Sequence, residues 1–338
     1  MMLDCLRAAV RILWSAFGGQ QTSPTIAPGW LAGEMHHGNH TRERSPEMKN
    51  TTATNAAAAG TTALGENLTV NRMGFGAMRL TGPGIWGEPA DPEECRRVLR
   101  RAVELGVTFI DTADSYGPEV SERLIAEALH PYPQGLVIGT KGGQVRPGPG
   151  RWTPVGRPEH LRQALEGSLR RLKLERIDLY QFHRPDPAVP VEESVGALAE
   201  MQREGKIRHI GVSNFSVAQL ERVRQVAPIV SVQNRYNLTD RSSEDVLKHC
   251  ERHGLAFIPW APLGAGPLTE PGGPLDRVAQ NHHATQGQIA LAWLLQRSPV
   301  MLVIPGTSKV PHLEANVAAA SITLTADELA SLDQASRQ

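Results

Sequence analysis

The stretch "DPEECRRVLRRAVELGVTFIDT", Asp91 to Thr112, joins a helix to a strand in one unit. Asp91 suits the N-cap of the helix. Pro92 fits its first position, where the missing N–H would have no partner anyway, and Gly106 suits the left-handed turn that ends it. "VTFI" then supplies four residues for a buried strand, and the chain turns polar at Asp111. The same alternation runs along the chain. Upstream, "ENLTVNRMGFGAM" predicts a short strand, a turn and a second strand. Downstream, helical "EVSERLIAEAL" precedes the strand "GLVIGTK", and "PEHLRQALEGSLRRLKL" precedes "IDLYQFH". The pattern goes on through the strands "IRHIGVSN", "IVSVQN", "LAFIPW" and "VMLVIPG", each with a helical stretch before it.

Counting "MGFGAM", this makes eight strands, each followed by a helical pattern. Such regularity predicts a parallel sheet, and eight units in about 265 residues predict an α/β fold of the (β/α)8 TIM barrel type with a short N-terminal β-hairpin. A doubly wound sheet would need GxGxxG between a strand and a helix, and "GFGAM" is not that fingerprint.

Composition narrows the function. The chain has 338 residues, 40% of them apolar, and a formal net charge of zero. Bulk electrostatics therefore predict neither nucleic acid nor an anionic membrane as a partner. No run of 18 apolar residues predicts a membrane span. Cys5, Cys95 and Cys250 are far apart and form no CxxC, which predicts a reducing, cytoplasmic setting without disulfides. In "MMLDCLRAAVRILWSAFGG" the charges of Asp4, Arg7 and Arg11 interrupt any signal-peptide core. Residues 18–60 are rich in Gly, Pro, Ser, Thr, Asn and Ala and lack periodicity. The expected organisation is a disordered extension over 1–60, with Met48 as an alternative start, and one barrel over 61–338. A monomer is the favoured oligomeric state.

In a barrel the chemistry sits where strands end and the following loops begin. The strand ends supply Asp111, Lys141, His183, Asn214, Gln233 and Trp260, and Tyr116 lies five residues beyond Asp111. A phenol titrates near ~10, and an ammonium about 4 Å away could lower that by up to ~3 units, making Tyr116 a general acid. Asp111 would keep Lys141 charged, and His183 could orient a substrate oxygen. Neither a Ser–His–Asp arrangement nor convincing metal-ligand spacing occurs; "HHGNH" near residue 36 and "NHH" near 281 are not expected to bind metal. Asp114 reads as a loop cap or helix-entry residue and Tyr180 as barrel packing, whereas Tyr236 could face a ligand or pack. The segment Arg146–Gly156 reads as a loop shaping the pocket, with Trp86 and Trp152 as its aromatic walls.

From about residue 66 to its end the chain resembles the aldo-keto reductases. The resemblance rests on "FIDTADSYG", "GTKGG", "YQFHRPDP", "GVSNF", "VQNRYN", "IPWAPLG" and "IPGTSK…HLEANVAA", in that order. "LTGPG", "PWAPLG" and "IPGTS" resemble a bacterial branch with pyridoxal-reductase-like members. The resemblance implies NADPH-dependent reduction of a small carbonyl compound, with Asp111, Tyr116, Lys141 and His183 as the catalytic tetrad. It implies that Ser213, Asn214 and Gln233 hold the nicotinamide carboxamide and that Trp260 stacks on the ring. Ala77, Met78, Ala261, Pro262, Leu263 and Gly264 would meet the rest of the cofactor, with the cover over the pyrophosphate running on to Gly266. Gly306, Thr307, Ser308, Lys309, His312 and Asn316 would meet the adenosine end. Gly306 and His312 stand where many relatives carry Lys and Arg. Pyridoxal reductase or pyridoxine dehydrogenase is the alternative activity. A non-catalytic nicotinamide-binding regulatory subunit is the alternative of another class.

Overall fold

The computed structural model describes residues 54–264 and 273–335. An antiparallel hairpin of β1 (Thr61–Ala63) and β2 (Thr69–Asn71) comes first. The barrel strands follow: β3 (Phe75–Gly76), β4 (Phe109–Asp111), β5 (Val137–Gly142), β8 (Ile177–Phe182), β9 (Ile207–Ser213), β10 (Ile229–Arg235) and β11 (Ala256–Trp260). All seven are parallel, in the order β11-β10-β9-β8-β5-β4-β3. Between them run α1 (Pro92–Glu104), α2 (Val120–Leu129), α3 (Pro158–Leu172), α4 (Val191–Arg203), α5 (Val217–Val223) and α6 (Glu244–His253). After β11 come α7 (Pro274–Asn281), α8 (Gln286–Arg297), α9 (Val310–Ala318) and α10 (Ala326–Ala335).

The eighth strand position is filled, but not by a regular strand. Residues 300–305 bridge the two open edges: Leu302 N–H donates to Phe257 O, Val303 N–H to Arg72 O, and Gly76 N–H to Pro305 O. Only isolated bridges form, at Met301 and Val303. Pro305 has no N–H to continue a ladder. Arg72 ties this segment down, its Nε donating to Met301 O at 3.0 Å and its Nη2 to Ser298 O at 2.6 Å.

The opening unit forms as its sequence predicts. The Asp91 carboxylate accepts from Glu94 N–H at 2.9 Å, Pro92 begins α1, and Gly106 has φ +79°. A Cβ on Gly106 would also strike the Asn55 side chain. That contact moves the expected boundary at residue 61. Asn55 caps a short 3₁₀ turn over Ala56–Ala59, Ala56 is fully buried, and its N–H donates to Leu105 O. Residues 54–60 thus belong to the barrel, docked by long-range contacts that local composition does not encode. The rest of the expected extension, with Met48, and the segment after Gly264, with Gly266, lie outside the described residues.

A second correction concerns residues 146–156. Instead of a loop they form most of an antiparallel pair, β6 (Gln144–Gly148) and β7 (Arg151–Pro154), with a register shift between Val145 and Gly148.

Two apolar clusters hold the barrel. The helices pack their buried faces on the outside of the strands. Inside, Phe109, Val137, Leu179, Val230, Ala256, Ile258, Leu302 and Ile304 form a separate cluster with Leu64, Leu68 and Val70 of the hairpin. The hairpin therefore plugs the end where the strands begin. Among the described residues, no helix is long and apolar enough to cross a membrane.

Candidate active site

At the opposite end, the strand termini surround a cavity of about 740 Å³. Asp111, Tyr116, Trp152, His183, Ser213, Asn214, Gln233, Trp260, Ala261–Gly264, Met78 and Gly306 all line it. A neighbouring cavity of about 600 Å³ shares Met78, Arg79 and Gly306 and runs past Thr307, Ser308 and Lys309. Together they make one groove across the barrel mouth. Ala77, His312, Asn316 and Trp86 line neither part. Ala77 is buried, and its carbonyl accepts from Ser121 Oγ. His312 and Asn316 lie on α9.

Lys141 sits beneath the floor of the groove, with none of its side chain exposed. Its Nζ donates to Asp111 Oδ2 at 2.7 Å, to Thr112 O at 2.9 Å and to the Tyr116 hydroxyl at 3.3 Å. Burial works against this ammonium, but Asp111 and Tyr116 outweigh it and the net shift is upward. The other Asp111 oxygen, Oδ1, accepts from Gln181 Nε2 at 3.0 Å and Gln233 Nε2 at 2.8 Å. Both oxygens of this buried carboxylate thus accept from strong donors.

Tyr116 departs from the sequence argument. Burial dominates and raises its phenol above the ordinary value; Lys141 pulls it down only in part, and Asp111 opposes Lys141. The group is therefore a protonated phenol at neutral pH. His183 is shifted the other way. Burial, then the Lys141 and Arg184 charges, hold its imidazole well below the usual range, so it is neutral. Its ring meets Tyr116 edge-on at 5.9 Å between centroids, and its Nδ1 lies 3.3 Å from Ser115 Oγ.

The next strands build an amide cluster. Ser213 Oγ donates to Gln233 O at 2.8 Å. Asn214 stands in the left-handed region, φ +62°, which Asn tolerates better than most residues. Its Nδ2 donates to Ser213 Oγ and His183 O, and its Oδ1 accepts from Trp260 Nε1 at 3.1 Å. The indole at 260 thus fixes the amide orientation of Asn214 while lining the groove.

Sequence reasoning missed several groups here. Gln181 was legible in principle: Leu179, Gln181 and His183 alternate onto one strand face, and a lone polar residue pointing into a barrel is a signal. Arg79 and Arg184 line the cavity, and among the described residues neither has an ion pair. Asp114 sits in the loop that leads into α2, where its backbone carbonyl accepts from Glu119 N–H. Its Oδ1 is buried without a partner, and burial and Glu122 hold its carboxyl well above the usual range. Tyr180 is core, as expected. Tyr236 packs: it stacks on Trp293 at 6.1 Å, and its hydroxyl donates to Glu244 at 2.6 Å. Among the described residues, no group of three or more metal-ligating side chains could hold an ion.

Comparisons with known proteins identify the family. A profile of the aldo/keto reductase family matches residues 72–337. An uncharacterised oxidoreductase of Schizosaccharomyces pombe is 55% identical over 282 residues, covering 83% of this chain and 92% of its own. Pyridoxine 4-dehydrogenase of Escherichia coli is 43% identical over 277 residues, covering 80% and 96%. An aldo/keto reductase from Klebsiella pneumoniae, crystallised with NADP and acetate, is 29% identical and superposes with a TM-score of 0.70 over 81% of this chain and 94% of that one.

Proposed function

This chain belongs to the aldo/keto reductase family, and from that premise we propose that it reduces aldehydes or ketones to alcohols with NADPH. The observation that carries the reading is the buried Asp111–Lys141–Tyr116 chain opening beside a neutral His183. When bound, the cofactor supplies hydride to the carbonyl carbon.

The residues of the groove fit that group. Ser213, Asn214 and Gln233 are the amide and hydroxyl set for a carboxamide, and Trp260 offers a ring face. Gly306 leaves a cradle: a Cβ there would lie 2.5 Å from Gly76 O and 3.7 Å from Arg79 Cγ. Arg79 and Lys309 would meet phosphate. They supply the positive charge that a Lys at position 306 would otherwise bring.

On the substrate side, the phenol of Tyr116 gives its proton to the carbonyl oxygen as negative charge develops there. The ammonium of Lys141, 3.3 Å from that hydroxyl, stabilises the phenolate left behind. Asp111 keeps the ammonium charged. If Ser115 donates to His183 Nδ1, the ring proton sits on Nε2, where it can donate to the substrate oxygen. The intact tetrad favours an enzyme over a regulatory nicotinamide-binding subunit. A second reading, pyridoxal reduction or pyridoxine oxidation, is favoured by the Escherichia coli relative. A carbonyl screen following NADPH absorbance, with pyridoxal included, tests both.

Two outcomes are expected. Because His183 is held well below its usual range, it stays neutral above that range, and kcat/KM should show no step from pH 6 to 8. A step near pH 6.5 that disappears in His183→Gln would overturn this protonation state. Lys309→Met should lower the NADPH:NADH ratio of kcat/KM by about tenfold, one charge-assisted contact, and more at low salt. An unchanged ratio removes Lys309 as the source of cofactor preference.

A further inference from the structure

Arg146 is a buried cation without a carboxylate. Only 8% of the residue is exposed, and among the described residues its guanidinium donates hydrogen bonds to backbone carbonyls alone. Nε donates to Arg151 O at 2.9 Å, across the β6–β7 pair. Nη1 donates to Ile85 O at 2.7 Å and Ser115 O at 3.2 Å, and Nη2 to Gly84 O at 2.8 Å. Three separate segments converge on one side chain. One of them is strained: Ile85, a β-branched residue, has φ +56°, between Gly84 at +68° and a turn closed by Gly87 at +68°. Such a conformation persists only where its surroundings fix it, and here its carbonyl is bound by Arg146.

The guanidinium carbon also lies over two indoles. It lies 3.6 Å from the Trp152 ring centroid and 5.7 Å from that of Trp86. Trp152 in turn meets Tyr116 edge-on at 6.4 Å and His183 at 6.3 Å, and it lines the cavity. Trp86 does not. Of the two indoles expected to wall the pocket, one does so and the other backs the cation that holds it.

We propose that Arg146 is the positioning residue of the substrate pocket: it fixes Trp152 beside Tyr116 and His183 as a rigid aromatic wall, so the site prefers flat aromatic carbonyl compounds over aliphatic ones. This rests on the reading of the cavity as a carbonyl-reducing site. A planar five-donor group is required. Lysine has one charged point and cannot both stack and reach three segments.

The experiment compares benzaldehyde with butanal, using NADPH, in wild type, Arg146→Met and Arg146→Lys. The expected wild-type preference in kcat/KM is about tenfold or more for benzaldehyde. Arg146→Met should lower benzaldehyde kcat/KM about tenfold, mainly through KM, while butanal and NADPH affinity change less than about threefold; Arg146→Lys should not restore it. A tenfold change corresponds to ~1.4 kcal/mol. No aromatic preference in wild type, an equal loss for both aldehydes, or full rescue by Lys overturns the proposal. If Arg146→Met does not fold, Trp152→Ala must abolish the aromatic preference for the proposal to survive. A second readout does not depend on turnover: acrylamide quenching of Trp152, taken as the difference from Trp152→Phe, should rise in Arg146→Met. Unchanged quenching overturns the positioning role. A chain that reduces neither aldehyde but shows the quenching change sinks the proposed function alone.

Discussion

Tyr116→Phe should reduce carbonyl turnover by ~10²–10⁴-fold, the usual worth of a general acid, and leave NADPH affinity within about twofold. The substitution removes one oxygen. The ring keeps its edge contacts with Trp152 and His183. Lys141 keeps two of its three partners, Asp111 and the Thr112 carbonyl, so no buried ammonium is orphaned and the melting temperature should barely move. The upward shift of the phenol sharpens the expectation. A group mostly ionised at pH 7 would have little proton to give; one held above its ordinary value by burial is fully protonated there and ionises only as the alkoxide forms. The check is single-turnover reduction with saturating NADPH. Retention of more than a tenth of the wild-type rate would remove Tyr116 as proton donor.

That upward shift also shows where the sequence stops being informative. Asp111, Lys141 and His183 could be placed at one rim because strand ends in a barrel converge there by topology, and each strand announces its end by turning polar. The α1 unit was legible because Asp91, Pro92 and Gly106 act within a few residues of themselves. The balance at Tyr116 was not, since the charge of Lys141 can be read from a letter but the loss of water around the phenol requires the packed loops above it. The β6–β7 pair was hidden for a related reason. "RPGPG" looks like irregular chain because Pro147 and Pro149 cannot donate to a ladder, and the pairing is completed by the bond from Arg146 to the far strand. The eighth strand was read correctly as an element and incorrectly as regular. Its place is set by closure of the barrel, its irregularity by Pro305. Docking of Asn55 and Ala56 against Gly106 and Leu105 joins residues some fifty positions apart, beyond any local pattern.

The second large effect is expected at Lys141, where activity and stability should separate. Lys141→Met is nearly isosteric and removes the charge that stabilises the Tyr116 phenolate. An ammonium–oxyanion pair at about 4 Å and effective dielectric ~20 is worth about 4 kcal/mol, or three decades in rate; the opposing Asp111 charge reduces this, so a fall of ~10²–10³ in kcat is expected. The same change leaves the Asp111 carboxylate buried with only the two glutamine amides, and breaking a buried pair from one side typically costs ~3–5 kcal/mol. Asp111→Asn/Lys141→Met should recover much of that stability because no buried charge then remains, yet it should recover no activity. The pH dependence has a definite sign. Lys141 is shifted upward in the fold, so the pair's contribution is complete below the ordinary lysine range near ~10.4 and is lost only as pH rises through the raised value. The stability gap between wild type and Lys141→Met should therefore be flat across neutral pH and narrow only in strong alkali. Urea unfolding at pH 7 and above pH 10, alongside kcat for the single and double variants, separates the two roles. A double variant no more stable than Lys141→Met would show that the stranded carboxylate is not the source of the loss. A single variant within tenfold of wild-type kcat would take Lys141 out of the proton path.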